Sequence, residues 1–246
     1  MNKIIKYVLC TIILITTMVN ISGCSIPEAP AEDFEYKFED GCVIITGYKG
    51  TAREIRVPEK IDGRDVTIIG KGAFEKYDLT KIYLPENLLI IKENAFRDCE
   101  CLEEIVFSDS LERIDRYAFH GCNKLEKIDL PESILTISDS AFSYCKSLKK
   151  VILPSNLERL GASSFANCEN LTELKIPENT YADIKYGETL HTIAGFYVTV
   201  ESPVGSGTYF ENDNIKKSKT KMIVKAGSDT HQKLLKCKDY FNFETY

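Results

Sequence analysis

The sequence contains no tryptophan and only three histidines, and it lacks the common signatures of catalytic sites. It has no H-E-x-x-H zinc motif, no G-x-S-x-G nucleophile turn and no phosphate-binding glycine loop. His120, His191 and His231 stand apart from one another, and none has a second ligand at metal-binding spacing. We therefore expect no enzyme activity, no cofactor and no metal site. An unfamiliar catalytic site would have to lie in the carboxyl-terminal region.

Basic residues are too few for a nucleic-acid surface. Lysine and arginine total 31 against 37 aspartate and glutamate residues, which gives a formal net charge of −6. Affinity for nucleic acid depends on cations that neutralise phosphates, so we do not expect this chain to bind it. Long apolar runs are equally scarce, because the extended apolar stretch runs only from Tyr7 to about Val19. A stretch of that length favours an export signal over a membrane-spanning helix.

The sequence does contain a repeat, which spans residues 66–180. One phenylalanine recurs in it at steps of 22, 23, 23 and 23 residues. The copies are centred on Ala73-Phe74, Ala95-Phe96, Ala118-Phe119, Ala141-Phe142 and Ser164-Phe165. Each copy continues with L-x-x-φ-x-φ, where φ is apolar: Leu79-Ile82-Leu84, Leu102-Ile105-Phe107, Leu125-Ile128-Leu130, Leu148-Val151-Leu153 and Leu171-Leu174-Ile176. Self-similarity at a fixed period of this length predicts a solenoid.

Two local patterns predict how each repeat folds. The alternating L-x-x-φ-x-φ segment predicts a short strand with its apolar residues on one face, and proline follows it in four of the five copies. In one copy, Ile114, Ala118, Phe119 and Cys122 are spaced 4, 1 and 3 residues apart, which predicts one face of a short helical turn. We therefore expect an α/β solenoid of five repeats of about 23 residues, each with a short strand and a short helical turn.

The string A-F-x-x-C-x-x-L-x-x-I-x-L-P in these copies is similar to the BspA-type leucine-rich repeats of bacterial and protist surface proteins. The resemblance covers about residues 34–180 and, more loosely, residues 221–246. It implies a leucine-rich-repeat fold and display outside the cell. It also implies adhesion to a protein or to another macromolecule of the extracellular matrix or cell surface.

The first 23 residues are typical of a signal peptide, with Lys3 and Lys6 ahead of the apolar run. The segment Ile21-Ser22-Gly23-Cys24 then resembles the lipobox of bacterial lipoproteins. This resemblance implies cleavage before Cys24, a diacylglyceryl group on its sulfur and anchoring to the membrane through that lipid. The alternative is a plain secretory signal followed by a chance cysteine. Residues 24–33 are polar and proline-rich and predict an extended tether.

The repeats are flanked by two segments with a different pattern. Residues 34–65 alternate with period two around Asp40-Gly41, which predicts a β-hairpin cap at the amino-terminal end. Residues 181–246 predict a hairpin-bearing insertion followed by a mixed carboxyl-terminal cap. Within them we expect strands at residues 195–200, 221–225 and 239–243 and a helix from Ser228 to about Lys236.

Four cysteines occupy one position of the repeat: Cys99, Cys122, Cys145 and Cys168. One interpretation is a disulfide pair or a metal site. The other is a stack of small buried apolar side chains, which Tyr77 in the same position of the first copy favours. Neither the spacing nor the count of nine cysteines decides whether this column is reduced or disulfide-bonded.

The variable positions of the repeat strands are the candidate binding residues. In a leucine-rich repeat these positions face outward from the concave sheet: Lys81, Tyr83, Glu104, Val106, Lys127, Asp129, Lys150, Ile152, Glu173 and Lys175. Tyr83, Val106 and Ile152 are apolar where the repeat requires only solvent exposure, which indicates a contact surface. The alternative is that aromatic and β-branched residues simply suit a strand.

These observations favour a monomeric, lipid-anchored binding module that works outside the cell. A structural or spacer lipoprotein with no ligand of its own is the main alternative. No residue of the sequence identifies the ligand.

Overall fold

The computed structural model describes residues 26–182, 190–191, 197–198, 221–224, 226–228 and 242–246. A turn of 3₁₀ helix, Ala31–Asp33, precedes the first strand. The strands, in chain order, are β1 Phe34–Glu39, β2 Cys42–Tyr48, β3 Glu54–Arg56, β4 Lys60–Ile61, β5 Arg64–Ile69, β6 Lys81–Tyr83, β7 Ile90–Ile91, β8 Glu104–Val106, β9 Arg113–Ile114, β10 Thr136–Ile137, β11 Lys150–Ile152, β12 Arg159–Leu160, β13 Glu173–Lys175, β14 Tyr181–Ala182, β15 Leu190–His191, β16 Tyr197–Val198, β17 Lys221–Val224 and β18 Asn242–Thr245.

Most repeats place one strand in each of two parallel ladders, so the chain winds as a solenoid. Four of the five L-x-x-φ-x-φ segments contribute β6, β8, β11 and β13 to the first ladder, in which β3, β6 and β8 pair with one another and β11, β13, β17 and β18 pair with one another. We call this ladder the strand sheet. The two-residue strands β7, β9, β10, β12 and β14 pair in a second sheet. Repeats that pair in register in this way stack at the spacing of β-strands, about 4.8 Å.

The predicted short helical turns are wrong, because the described residues contain no α-helix. In every repeat the residues two before and two after the phenylalanine have φ between 56° and 76°. These residues are Gly72, Lys76, Asn94, Asp98, Tyr117, Gly121, Ser140, Tyr144, Ser163 and Asn167. An α-helix needs φ near about −63° throughout, so left-handed residues at this spacing produce a series of tight turns instead.

Hydrogen bonds between repeats explain why turns replace the helix. The amides of Asn94, Phe96 and Asp98 donate to carbonyls of the next repeat over 2.7–3.1 Å. The amides between them bond within the turn, to carbonyls three residues back. This alternation satisfies the backbone across the stack, whereas a helix would satisfy it within one segment. The fold is therefore a β-solenoid and not the α/β solenoid that the sequence predicts.

The stacked phenylalanines of the core show that each repeat is too thin to contain a helix. Phe74, Phe96, Phe119, Phe142 and Phe165 are fully buried, with neighbouring ring centroids 5.0–5.4 Å apart and ring planes within 5° of parallel. A helix is about 10 Å across with its side chains, so one helix per repeat would not fit this spacing. The compact turns let every repeat occupy a single layer of about 5 Å.

The four cysteines of the repeat are buried thiols. Each thiol donates to the carbonyl of the phenylalanine in the preceding repeat: Cys99 to Phe74 over 2.9 Å, Cys122 to Phe96 over 3.3 Å, Cys145 to Phe119 over 3.2 Å and Cys168 to Phe142 over 3.2 Å. Burial raises the pKa of the Cys99 thiol to about 12 and holds the pKa values of Cys122 and Cys145 well above their usual range. The structure thus supports the packing interpretation of this column.

A hairpin precedes the repeats. β1 and β2 pair antiparallel from Phe34↔Tyr48 to Glu39↔Cys42, with a register shift after Glu35. Asp40 and Gly41 form the turn with φ of 51° and 81°, as two-residue hairpins require. The hairpin joins the second sheet through β2 and β5, and β5 crosses the boundary predicted at residue 66.

The described part of the predicted tether also contacts this end of the solenoid. Glu28 forms a parallel bridge with Arg56, and the Ala29 amide donates to the Arg56 carbonyl over 2.8 Å.

At the carboxyl-terminal end, β17 and β18 extend the strand sheet in parallel, and β15 and β16 form a short antiparallel pair. The predicted strands at 195–200, 221–225 and 239–243 correspond to β16, β17 and β18 with shifted bounds. Residues 1–23, Cys24 and most of the helix predicted from Ser228 lie outside the described residues. Within the described residues, no helix is long and apolar enough to cross a membrane.

Candidate binding surface

The candidate residues lie on the outward side of the strand sheet, which we call the strand face. Side chains alternate across a strand, so the middle residue of each segment points inward. Those middle residues are at most 6% exposed: Ile82, Ile105, Ile128, Val151 and Leu174. The flanking candidates are exposed or half-buried: Lys81, Tyr83, Glu104, Val106, Lys127, Asp129, Lys150, Ile152, Glu173 and Lys175. The strand sheet thus places eight of the ten candidates on this surface in two columns, and Lys127 and Asp129 occupy the corresponding positions of the repeat between β8 and β11.

The column that begins at Lys81 consists mostly of ion pairs between adjacent repeats. Lys81 Nζ lies 2.7 Å from a Glu104 carboxylate oxygen, and Lys150 Nζ lies 2.8 Å from one of Glu173. Two hydrogen bonds raise the pKa of Lys81: the bond to Glu104 has the larger effect, and the bond to Tyr83 adds to it. These charges compensate one another, and exposed pairs of this kind contribute little to stability.

Tyr83 is less available than its sequence position indicates. The Arg56 guanidinium carbon lies 4.4 Å from the centroid of the Tyr83 ring, and Lys81 Nζ lies 4.9 Å from it. Two cations therefore cover the ring and leave Tyr83 half-buried. The apolar exposure of the strand face is concentrated instead at Val106, which is 37% exposed, and at Ile152, which is 58% exposed.

A cleft of about 440 Å³ opens beside Ile152 in the middle of the strand face. Ile128, Leu130 and Ile152 provide its apolar lining. Its charged lining consists of Glu126, Lys127, Asp129, Glu132, Lys149 and Lys150. Three cations and three anions therefore surround an apolar floor. This arrangement is typical of a contact surface in which charged groups surround an apolar anchor.

The strand sheet is interrupted at this place. Residues 127–129 form no strand and connect to β11 only through an isolated bridge between Lys127 and Lys150. Among the described residues, no backbone hydrogen bond joins this segment to β8. The interruption follows Phe107, whose ring packs edge-on against Phe119 at 5.8 Å where the other repeats carry leucine or isoleucine.

The tight turns around the phenylalanines form a second outward surface, which we call the turn face. His120 lies on it. His120 Nδ1 lies 2.7 Å from Ser143 Oγ, and Ser143 Oγ in turn donates to the Ser140 carbonyl over 2.8 Å. When the serine proton lies in that bond, Ser143 Oγ accepts from His120, which favours the tautomer with the hydrogen on Nδ1. Within the described residues, no cluster of three metal-ligating side chains occurs.

Sequence reasoning missed the aromatic neighbours of His120 on the turn face. Tyr117 and Tyr144 flank the imidazole, with ring centroids 5.7 Å and 5.1 Å away. The sequence shows this contact only when the repeats are aligned. Tyr144 then stands beside Gly121, the residue after His120, because positions 121 and 144 are one repeat apart.

Comparison with known proteins agrees with this architecture. The model of the BspA type leucine rich repeat region matches residues 67–186 in six copies, one more than the five that the sequence predicts. Among solved structures, a leucine rich repeat protein of T. pallidum is 30% identical with a TM-score of 0.61, and the match covers 63% of this chain and 81% of that protein. None of the curated proteins compared with the chain matches it.

Two further solved structures support the fold alone. A leucine rich cell surface protein of Faecalibacterium prausnitzii is 22% identical with a TM-score of 0.56, and the match covers 64% of this chain and 50% of that one. The pneumococcal vaccine antigen PcpA is 18% identical with a TM-score of 0.54, and the match covers 89% of this chain and 49% of that one. The chain thus spans about half the length of these two proteins.

The T. pallidum protein and the repeat model identify the same pattern that the structure stacks into layers. The chain belongs to the BspA-type leucine-rich repeat proteins, and its repeats form a leucine-rich-repeat β-solenoid of about six turns.

Proposed function

We propose that the chain is an extracytoplasmic, lipid-anchored module that binds a protein or another matrix macromolecule through its strand face. Leucine-rich repeat proteins typically act by binding and not by catalysis, and the F. prausnitzii relative is described as a cell surface protein. The predicted export signal and the lipobox-like segment Ile21–Cys24 favour the same location for this chain.

The observation that carries the proposal is the cleft beside Ile152. An isoleucine side chain that is 58% exposed gains roughly 1 kcal/mol or more when a partner covers it. The charges around it can fix the orientation of a partner and disfavour unsuitable ones. Val106 lies two repeats away in the same column, so a partner that covers both residues spans about 10 Å along the stack.

The binding proposal is tested with purified matrix proteins, namely fibronectin, fibrinogen, laminin and collagen, and with isolated peptidoglycan. Each is immobilised and titrated with the chain from Ser25. We expect saturable binding to at least one of them, and we expect the double variant Val106→Ser and Ile152→Ser to bind at least about tenfold more weakly.

The matched control replaces two other exposed apolar residues beside the second sheet. Leu89 and Leu135 are each 37% exposed, and neither is on the strand face. The double variant Leu89→Ser and Leu135→Ser should bind as the native chain does. If both double variants bind like the native chain, the strand face is not the contact surface. If the native chain binds none of the probes, the spacer alternative is favoured.

The lipid anchor has a separate test in a bacterial host. The two proteins are compared by detergent phase separation. The native chain should enter the detergent phase because its acyl chains anchor it stably, and the Cys24→Ser variant, which lacks them, should remain in the aqueous phase. Partition of both proteins into the aqueous phase would contradict lipidation and would leave the strand-face proposal untouched.

A further inference from the structure

Two tyrosines of the turn face occupy backbone positions that disfavour them. Tyr117 and Tyr144 have φ of 57° and 60°. In the other repeats these two columns hold Gly72, Asn94, Ser140 and Ser163, and Lys76, Asp98, Gly121 and Asn167. A bulky side chain is strained in the left-handed region, where glycine and asparagine are tolerated. Strain of this kind concentrates where side chains have a function, so these rings call for an explanation beyond the fold.

The two rings belong to one contiguous cluster, which we call the aromatic patch: Arg97, Arg116, Tyr117, His120 and Tyr144. The guanidinium carbons of Arg97 and Arg116 lie 5.8 Å and 5.6 Å from the centroid of the Tyr117 ring. His120 meets the Tyr117 ring at an interplanar angle of 84° and the Tyr144 ring at 58°. Three rings and two cations are thus held together by the stacking of adjacent repeats.

The patch also presents a fixed hydrogen-bond acceptor. With Ser143 Oγ donating to the Ser140 carbonyl, His120 Nδ1 is the donor to Ser143, and in this tautomer the other ring nitrogen, Nε2, has no hydrogen when the imidazole is neutral. Burial lowers the pKa of His120, so the neutral form predominates at neutral pH. Nε2 can then accept a hydrogen bond from a hydroxyl group.

The charge of the patch indicates an anionic ligand. Arg97 Nε lies 3.5 Å from a carboxylate oxygen of Asp98, whereas Arg116 is exposed and has no carboxylate within 4.0 Å among the described residues. A guanidinium group without an ion-pair partner is suited to bind a carboxylate through two parallel hydrogen bonds. The adjacent Tyr144 ring is 38% exposed and presents apolar area beside these cations.

We propose that the aromatic patch binds an acidic saccharide, one or two sugar residues of a polysaccharide that carries carboxylates. The C–H face of a pyranose matches a tyrosine ring, its hydroxyls match His120 Nε2, and its carboxylate matches Arg116. An acidic peptide would also satisfy the cation, but a hydroxyl acceptor beside rings within about two repeats, roughly 10 Å, favours a sugar that carries both hydroxyls and a carboxylate. This site is separate from the strand face and does not depend on the function proposed above.

The test uses isothermal titration of the purified protein with trigalacturonate, with maltotriose as the neutral sugar and tetraglutamate as the acidic peptide. We expect trigalacturonate to bind, and maltotriose to bind at least about tenfold more weakly. Arg116→Gln and Tyr144→Asn should each weaken trigalacturonate at least about tenfold. Arg64→Gln is the matched control, because it removes an arginine that lies over Phe38 at 4.4 Å on the hairpin, and it should bind normally.

Tyr144→Asn also separates a binding role from a structural one. Asparagine is tolerated in the left-handed region, so this variant should unfold at the same temperature as the native chain or at a higher one while it loses the ligand. The proposal fails if trigalacturonate does not bind at about 10 mM, or if maltotriose or tetraglutamate binds as tightly. It also fails if Arg116→Gln and Tyr144→Asn bind like the native chain, or if Tyr144→Asn unfolds at a lower temperature.

Discussion

The inward and outward columns of the repeats differ in how much they change from one layer to the next. Inward, the same groups recur: a phenylalanine, an alanine or serine before it, and a cysteine or tyrosine after it. Outward, the strand-face column that runs from Tyr83 through Val106, Asp129 and Ile152 to Lys175 changes its chemical character at almost every step.

This difference follows from the spacing of the layers. A ring that must stack on identical rings every 5.0–5.4 Å leaves no freedom of size or shape. A side chain that faces solvent needs only to suit a strand or a turn. The inward columns therefore specify the fold, and the outward columns are where the chain can specify a partner.

The largest expected effect comes from removing one ring of the stack. Phe119 is fully buried, with Phe96 and Phe142 each 5.0 Å away, so Phe119→Ala should lower the free energy of unfolding by about 3–5 kcal/mol. Urea denaturation followed by circular dichroism measures the loss. Phe38→Ala is the control, because Phe38 is 43% exposed and should cost about 1 kcal/mol or less. Equal losses would remove the distinction between the columns.

The cysteine column should make the fold sensitive to alkaline pH. Burial raises the pKa of Cys99 from its ordinary 9.0 to about 12, and raises those of Cys122 and Cys145. The folded thiols keep protons that the unfolded chain releases, so their stabilisation is complete below about pH 9 and is lost as the pH rises toward 12.

Each such thiol should cost about 1 kcal/mol at about pH 10. Lysines and tyrosines also titrate in this range, so the test compares the native chain with a cysteine variant by the slope of the free energy of unfolding against pH. The free energy of unfolding of the native chain should fall more steeply with pH than that of Cys122→Ala. Parallel slopes would show that this column does not keep protonated thiols in the folded state.

A serine in the alanine column provides a smaller effect of opposite sign. Ser164 is fully buried and its hydroxyl has no hydrogen-bond partner, whereas the other four repeats carry alanine there. Ser164→Ala should raise the free energy of unfolding by about 1 kcal/mol, because it removes an unsatisfied polar group. Ser143→Ala should lower it by about the same amount, since that hydroxyl bonds His120 and the Ser140 carbonyl. The urea midpoints of the two variants should therefore move in opposite directions.

The smallest effect is expected from the ion pairs of the strand face. Lys150→Ala removes a 2.8 Å contact with Glu173, and both side chains are at least one-third exposed. We expect a change of less than about 0.5 kcal/mol that diminishes further at high salt. A loss above about 1 kcal/mol would mean that the outward columns also hold the fold together.

The sequence predicts the stack of phenylalanines well because every repeat must place the same core side chains at the same positions. The register of Phe74, Phe96, Phe119, Phe142 and Phe165 and the alternation of the strand sheet follow from the period of 22–23 residues. The strand-face exposure of Ile152 follows from the same alternation. The contact of Arg56 with the Tyr83 ring could not be predicted in this way, because Arg56 belongs to a strand that precedes the recognisable repeats.

The helical prediction fails for an identifiable reason. The spacing of Ile114, Ala118, Phe119 and Cys122 fits a helical face, but tight turns that return the chain to the core every few residues produce the same spacing. A single copy hides the left-handed positions, because Tyr117 does not indicate positive φ. The columns taken together show it, since glycine and asparagine occur at both positions, serine occurs twice at the first and aspartate occurs at the second.

The central claim is that outward residues bind and inward residues fold, and two neighbours on β11 test it most directly. Val151 is fully buried and Ile152 is 58% exposed. The measurement is the affinity of Val151→Ala and Ile152→Ala for the matrix probe that the native chain binds, at a temperature where circular dichroism shows both folded.

Ile152→Ala should bind at least about fivefold more weakly while its unfolding temperature stays unchanged. Val151→Ala should bind normally although it unfolds at a lower temperature. The reverse pattern, or equal loss of binding in both variants, would contradict the account.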